Sequence, residues 1–119
     1  VLNESNLSRS KFNKAILHKT EFIHAQLQGA QFVDANLVEA DFHRANLNDA
    51  NFIGSDLKGA NFSDADLINA NLIGTELRGA NFKRSDLTRA DLRRSDLSNA
   101  ILIQANLADA NLSDANLVE

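Results

Sequence analysis

ANLVE ADFHR ANLND ANFIG SDLKG: residues 35–59 repeat one five-residue pattern five times. Each unit reads small residue, Asn or Asp, Leu or Phe, and two variable residues. The pattern continues in both directions, since every fifth residue from Leu2 to Leu117 is Leu or Phe, which makes 24 positions without a slip of register. A self-similar array with a short fixed period predicts a solenoid.

The other positions of the unit are nearly as regular as its centre. All 23 residues that lie two before a Leu or Phe, from Ser5 to Ala115, are Ala, Ser or Thr. The residue between the small residue and the Leu or Phe is Asn or Asp in 16 of 24 units. Lys11, Ile16 and Ile101 are departures from this pattern near the chain ends. The sequence therefore predicts two inward positions per unit, one small and one large.

A period of five fits neither a regular helix nor a flat strand. Five residues of helix advance by about 140° net, so the Leu and Phe side chains would spiral around it. In a strand, side chains alternate between faces, so an odd period would turn every second unit outward. The chain keeps all of these side chains inward only if it turns a corner in each unit.

The residue before each small residue is the predicted corner. All five glycines of the chain lie at this position, and Asp or Asn fills seven more, so that 12 of 24 corners carry a residue that tolerates positive φ. The chain has no Pro, which agrees with a stack that uses its N–H groups for hydrogen bonds between coils.

The seven Phe residues indicate how many units form one coil. They lie at positions 12, 22, 32, 42, 52, 62 and 82, always in alternate units. If like residues stack on like, the number of units per coil is even, which leaves two, four or six. Closure through roughly right-angle corners favours four, with Phe12, Phe32 and Phe52 on one wall and the other four Phe residues on the opposite wall.

The unit resembles the repeat of the pentapeptide-repeat family, Ala–Asp/Asn–Leu–x–x, over essentially the whole chain. The resemblance implies an all-β fold: a right-handed quadrilateral β-helix, or solenoid, with four pentapeptides per coil and about six coils. With 119 residues, the chain is expected to form a single domain, 1–119. Stacked strands lie about 4.8 Å apart, so the expected rod is roughly 29 Å long.

Composition narrows the classes of function. The chain has no Cys, and therefore no disulfide framework or thiolate chemistry. It also has no apolar run that approaches the length of a membrane span, so we expect no membrane insertion. It starts at Val1 and stops on the repeat, which suggests an excised domain or a processed chain. The cytoplasm is favoured, although processing could have removed a targeting segment.

One outward column is apolar. Val33, Ile53 and Ile73 follow one another at intervals of four units, and Gly54 and Gly74 lie beside the last two. The column could be a flat interface for a partner protein or for side-by-side self-association. The alternative interpretation is that β-branched residues occur there because they favour extended backbone.

The charge is banded along the sequence. Residues 1–19 carry +3, residues 20–77 carry −7, residues 78–94 carry +4 and the remainder carries −4. The candidate basic patch consists of Arg78, Lys83, Arg84, Arg89, Arg93 and Arg94. We favour a solvated surface with local ion pairs, such as Asp56 with Lys58 and Glu76 with Arg78, and do not expect direct nucleic-acid binding.

No catalytic, cofactor or metal site is predicted. His18, His24 and His43 face outward, and His24 and His43 share a wall with Asp41 and Glu21, but surface histidines are the favoured interpretation. The Gly residues occur singly, so they form no phosphate-binding loop. The Ser and Thr residues mostly occupy inward positions, and the array has no insertion that would form a pocket.

Two function hypotheses remain. We favour a non-enzymatic structural scaffold or protein–protein interaction module of bacterial, cyanobacterial-like type, whose partner is another protein, or the chain itself through the coil ends or the apolar wall. The alternative is a DNA mimic that binds a type II topoisomerase, DNA gyrase, since the resemblance includes acidic rods of this kind. The basic residues 78–94 interrupt a continuous acidic face.

Overall fold

The computed structural model describes residues 1–118. The secondary structure of these residues consists of parallel backbone pairings between residues that are 20 apart. The pairings run from Asn6 with Gln26 to Asp96 with Asn116, and they recur at every fifth residue. Each is an isolated bridge, so residues 1–118 contain neither a longer strand nor a helix. Because each unit has five residues, the spacing of these pairings corresponds to four units, which we call one coil.

Units that pair at this spacing form four walls. Wall 1 contains the units centred on residues 2, 22, 42, 62, 82 and 102; wall 2 those centred on 7, 27, 47, 67, 87 and 107; wall 3 those centred on 12, 32, 52, 72, 92 and 112; wall 4 those centred on 17, 37, 57, 77, 97 and 117.

Three backbone hydrogen bonds per unit join neighbouring coils. In the unit centred on Leu37, the central N–H donates to the Asp56 carbonyl at 2.7 Å and the corner N–H of Glu39 donates to the Lys58 carbonyl at 2.9 Å. The N–H of Asn36 donates in the opposite direction, to the Ala15 carbonyl, at 2.9 Å. The same ladder repeats along the chain, so the backbone polar groups of the middle coils are satisfied.

A turn closes each unit. The N–H of Ala40 donates to the Leu37 carbonyl at 3.0 Å, and the corner residue between them, Glu39, has φ of 56°. A positive φ at the third turn residue is a feature of type II turns. The corners predicted at Gly, Asp and Asn adopt positive φ as expected, and so does every other corner from Glu4 to Asp114.

The Asn and Asp side chains before each Leu or Phe support this turn. The Oδ1 atom of Asn51 accepts a hydrogen bond from the Ile53 N–H at 3.1 Å, and Asp41 accepts one from the His43 N–H at 2.9 Å. This is the local side-chain bond by which Asn and Asp favour turns. It explains why 16 of 24 units carry Asn or Asp at that position.

The Leu, Phe and small residues form the core. From Phe22 to Leu97 all central side chains are buried, and so are the small residues between them. The hydroxyls at the buried small positions are satisfied locally: the Oγ of Ser55 donates to the Phe52 carbonyl at 2.6 Å, and Ser85 and Ser95 bond in the same way. The buried Oγ of Ser98, at an outward position, has no partner among residues 1–118.

The Phe residues stack as the sequence predicts. Rings that lie one coil apart are parallel, as between Phe32 and Phe52, whose centroids are 4.8 Å apart, and Phe22 and Phe42 at 4.9 Å. The stacks of walls 1 and 3 meet edge to face across the core, as for Phe42 and Phe52 at 5.8 Å. The alternate spacing of Phe in the sequence thus builds one aromatic cluster.

The end coils are less buried than the middle. The central side chains of the first coil, from Leu2 to Leu17, and those from Leu102 to Leu112 are only partly covered, and Leu117 is 53% exposed. The molecule measures 33 × 24 × 19 Å, close to the expected length. None of residues 1–118 belongs to a helix long and apolar enough to cross a membrane.

Candidate interaction surfaces

The apolar column lies on wall 3, as its spacing implies. Val33, Ile53 and Ile73 are half-buried, because residues 20 apart cover one another, whereas Gly54 and Gly74 are exposed corners beside them. The outward positions of wall 3 between Asn51 and Gly74 carry no charged side chain. The structure therefore brings the five predicted interface residues together on one surface, and its use as an interface stays a prediction.

The backbone of this column is held rigidly. The Val33 N–H donates to Asn13 Oδ1 at 3.0 Å, and the Ile73 N–H donates to Asn71 Oδ1 at 3.2 Å. At its C-terminal end, Ile73 borders a hollow that is also lined by Arg93, Arg94 and Asp114. The column is thus a stiff apolar strip with a polar, charged end.

The six basic residues do not form one patch. Lys83 and Arg84 lie on wall 1, Arg89 on wall 2, Arg93 and Arg94 on wall 3, and Arg78 on wall 4. They form a ring around the rod, because the segment from 78 to 94 spans almost one whole coil. A single flat ligand can contact only part of this ring at a time.

Most of these cations are already bound to neighbours. Arg93 chelates Asp91 with contacts of 2.6 to 3.0 Å, and the Nε of Arg89 donates to Asn69 at 2.8 Å. The Arg93 guanidinium lowers the pKa of the Asp91 carboxyl below its usual range. Lys83 and Arg94 form no ion pair with any of residues 1–118.

A charged cluster on wall 1 is apparent only in the structure. Arg84 binds Asp64 through two hydrogen bonds of 2.6 and 2.7 Å, and Nδ1 of His43 lies 3.7 Å from the same carboxylate and 2.9 Å from Ser63 Oγ. Arg84 is the main reason why the pKa of Asp64 is lowered. The sequence contains a signal for this pair, since Asp64 and Arg84 lie four units apart, the spacing at which residues of one wall stack.

The acidic segment is partly neutralised by pairs between coils. Lys58 contacts Asp56 at 3.4 Å, as predicted, and also contacts Glu76 in the next coil. Glu76 therefore pairs with Lys58, whereas the predicted pair of Glu76 with Arg78 is wrong among residues 1–118: Arg78 contacts Asp96 at 3.8 Å. Side chains on adjacent coils of one wall are closer neighbours than their separation in the sequence suggests.

The histidines behave as surface side chains. His24 and His43 are neighbours on wall 1, with ring centroids 6.2 Å apart, and His18 lies on wall 4. Within residues 1–118, no three His, Cys, Asp or Glu side chains are grouped so that they could hold a metal ion.

The C-terminal end forms an apolar groove. It is lined by residues that include Leu97, Ile101, Leu102 and Leu117, and Ile103 beside it is 61% exposed. At the opposite end Val1 and Ile16 are exposed. Both ends thus offer apolar surface of the kind that self-association through the coil ends would use.

The family models agree with the resemblance drawn from the repeat. The model described as pentapeptide repeat region matches residues 5–82, and that described as pentapeptide repeats (8 copies) matches residues 90–119. No functionally curated protein matches the sequence.

Solved structures share the fold. A pentapeptide repeat protein from the Arabidopsis thaliana thylakoid lumen is 35% identical over 73% of this chain and 64% of its own, with a TM-score of 0.65, so this chain spans just under two thirds of it. A pentapeptide repeat protein from the cyanobacterium Cyanothece 51142 is 28% identical. The match covers 98% of this chain and 82% of the Cyanothece protein, with a TM-score of 0.52.

A more distant structure shows the fold alone. Trypsin-treated QnrB1, a plasmid-mediated fluoroquinolone resistance protein, is 21% identical. The match covers 99% of this chain and 76% of the QnrB1 chain, with a TM-score of 0.55. One family model by itself covers more than half of the residues, from 5 to 82. The chain therefore belongs to the pentapeptide repeat family.

Proposed function

We propose that residues 1–119 form one domain, a right-handed quadrilateral β-helix of about six coils with four pentapeptides each, that serves as a non-enzymatic scaffold or protein–protein interaction module. The observation that carries the proposal is the regular ladder between coils. It holds the backbone of every wall in place, so that the outward side chains project from it at constant spacing. A partner that binds such a wall orders few side chains, so little conformational entropy is lost on binding.

Wall 3 is the docking surface that we favour. The half-buried column Val33, Ile53 and Ile73 offers apolar contact, and the exposed corners Gly54 and Gly74 let another backbone approach closely. The array has no insertion between residues 2 and 117 in which a substrate pocket could form. A flat protein surface with an apolar strip is the partner that fits this wall.

Site-specific photo-crosslinking tests this proposal. We would replace Ile53 by a photoreactive phenylalanine analogue in cells that contain the native partner, and identify the adducts by mass spectrometry. Ile68 is the matched control, because it is the same residue type at the same unit position, also half-buried, but on wall 2. We expect a discrete protein adduct from position 53 and none from position 68.

Other outcomes distinguish the versions of the proposal. Equal adducts from both positions, or none from either, would overturn wall 3 as the docking surface. An adduct with a second copy of the chain would favour side-by-side self-association. In that case the double variant Ile53→Glu with Ile73→Glu would have a lower mass by light scattering than the wild type. An unchanged mass would exclude side-by-side self-association through wall 3.

The charge distribution argues against the DNA-mimic alternative. Of the nine acidic residues between 20 and 77, four are in ion pairs: Glu39, Asp56, Asp64 and Glu76. Neutralised carboxylates imitate a phosphate backbone poorly, since such binding depends on unneutralised negative charge. We expect no inhibition of gyrase supercoiling at micromolar protein, and clear inhibition would favour the mimic over the scaffold.

A further inference from the structure

The corner column between walls 3 and 4 carries charges that the chain itself does not pair. Along the rod, this column consists of Lys14, Asp34, Gly54, Gly74, Arg94 and Asp114. All six residues are exposed, and none of the four charged ones forms an ion pair within residues 1–118. Corner charges elsewhere do pair between coils, as Lys19 does with Glu39 at 3.2 Å. The column thus presents unneutralised charge beside the apolar column of wall 3.

The order of these charges is self-complementary. From the first coil to the last it reads positive, negative, neutral, neutral, positive, negative, and the reverse order has the opposite sign at every charged position. Two copies that face each other with antiparallel rods would therefore set Lys14 opposite Asp114 and Asp34 opposite Arg94. Each pair would form twice, because a two-fold interface uses the same surface of both copies.

The apolar column fits the same arrangement. The two-fold axis that matches the charges passes between the coils of Ile53 and Ile73, so each of these side chains comes opposite the other in the second copy. The two glycine corners beside them carry no side chain, which lets the two backbones approach closely. Val33 comes opposite the hollow beyond Ile73, at Arg93 and Arg94. Apolar contacts and corner charges thus require one and the same register.

Neighbouring registers are disfavoured by charge. A shift of the second copy by one coil in one direction sets Lys14 opposite Arg94, and a shift in the other direction sets Asp34 opposite Asp114. Like charges that face each other across an interface oppose association. The corner column therefore selects the centred register over both of its neighbours.

We propose that wall 3 binds wall 3 of a second copy of this chain in antiparallel orientation, about a two-fold axis between the coils of Ile53 and Ile73. The inference rests on the proposed docking surface and names its partner. Wall 3 measures about 600–800 Å² per copy, from a rod 33 Å long and 19 to 24 Å wide, which approaches the roughly 800 Å² per partner of a standard stable interface. All of these contacts lie on the side of the rod, and the two-fold symmetry closes the assembly at a dimer.

Charge reversal tests the register by sedimentation equilibrium. The wild type should reach the mass of a dimer and no more. Asp34→Lys and Arg94→Asp each replace two attractive pairs by two repulsive ones, so each variant alone should dimerise at least about tenfold more weakly. An equimolar mixture of the two should dimerise as the wild type does. In the mixed dimer the two substituted residues face each other with opposite charge, and so do the native Asp34 and Arg94.

Arg44→Asp is the matched control for Arg94→Asp. Arg44 is also an exposed corner residue with positive φ and no ion pair within residues 1–118, but it lies on the edge between walls 1 and 2, away from wall 3. This variant should dimerise as the wild type does. Far-UV circular dichroism and thermal unfolding verify that each variant is folded. Because the corner pairs are exposed, added salt should reduce the difference between the wild type and Asp34→Lys.

Several results would overturn the antiparallel dimer. They are a wild-type dissociation constant above about 1 mM, a mass that rises beyond a dimer, a control that dimerises as weakly as Arg94→Asp, or a mixture that stays as weak as its components. A monomeric wild type with a discrete adduct of another protein at position 53 would overturn the dimer but keep wall 3 as the docking surface. A monomeric wild type without any adduct there would overturn both.

Discussion

Among residues 1–118, eighteen corner residues other than glycine adopt positive φ, a region that usually costs an L-residue about 1–2 kcal/mol. The five glycine corners avoid this cost. Gly74 and Gly54 have nearly the same φ, 63° and 67°, but they differ in surroundings. A Cβ at Gly74 would meet nothing within 4 Å, whereas one at Gly54 would lie 2.7 Å from Asp34 Oδ1.

We predict that Gly74→Ala destabilises the fold by about 1 kcal/mol through φ alone, and that Gly54→Ala costs more because the Asp34 carboxylate must also move. Urea unfolding measures both. In an Asp34→Ala background the excess should vanish, so that Gly54→Ala costs the same as Gly74→Ala. An excess that survives without the Asp34 carboxylate would show that the contact is not its cause.

The sequence predicted the corners only in part, for a physical reason. Gly, Asp and Asn tolerate positive φ intrinsically, so Gly54 and Asp34 could be recognised. Arg84 and Glu39 have no such preference, yet they adopt φ of 57° and 56° because the coils on both sides impose the turn. Tertiary context overrides local propensity at these corners, and only the unbroken period reveals it.

The ion pair of Asp64 with Arg84 makes stability depend on pH. The pKa of Asp64 is lower in the folded chain than its ordinary value of 3.8. A depressed folded pKa contributes stability that is present above the unfolded value and is lost as pH falls through the folded pKa. We predict that Asp64→Asn lowers the melting temperature at pH 7, and that the difference from wild type shrinks below about pH 3.8.

Asp66→Asn provides a control for this measurement, because Asp66 is exposed in the next unit and forms no ion pair with residues 1–118. It should change the melting temperature little at either pH. A difference for Asp64→Asn that persists undiminished at pH 2.5 would contradict an origin in the charge of the carboxylate.

At the scale of the repeating unit, the aromatic cluster concentrates stability in the middle of the rod. Phe42 contacts four other rings, at centroid distances of 4.9 to 5.9 Å, whereas Phe82 contacts only Phe62, at 4.9 Å, among the described rings. Both side chains are fully buried and lie on wall 1. Aromatic pairs contribute about 0.5–1.5 kcal/mol each beyond their buried area.

Because Phe42 has three more ring contacts than Phe82, we predict that Phe42→Leu costs about 1.5–4.5 kcal/mol more than Phe82→Leu in the free energy of unfolding, although the substitution and the burial are the same. Chemical denaturation of the two variants is the measurement. Equal losses would show that burial alone, and not the ring contacts, sets the cost.

The sequence revealed this cluster but not the contacts on the outside. The alternate spacing of Phe fixes which rings stack, because inward side chains have only one direction available. Lys58 has a long flexible side chain that reaches both Asp56 and Glu76, so its partner depends on the rotamer and on the coil above. In the same way, the six basic residues are neighbours in the sequence but lie on four different walls, because a segment of this length winds almost once around the rod.

At the scale of the whole molecule, stability should fall from the middle towards the ends, because each coil is held by its neighbours. Leu47 and Leu107 are both central residues of wall 2. The N–H of Leu47 donates to the Asp66 carbonyl at 2.7 Å, while that of Leu107 has no acceptor among residues 1–118. The two amides therefore compare the middle and the end of one wall.

Hydrogen exchange followed by NMR should show that the Leu47 amide opens only with global unfolding, whereas the Leu107 amide exchanges at nearly the unprotected rate in dilute protein. Equal protection of the two amides would contradict the expected fall of stability from the middle coils towards the end coil.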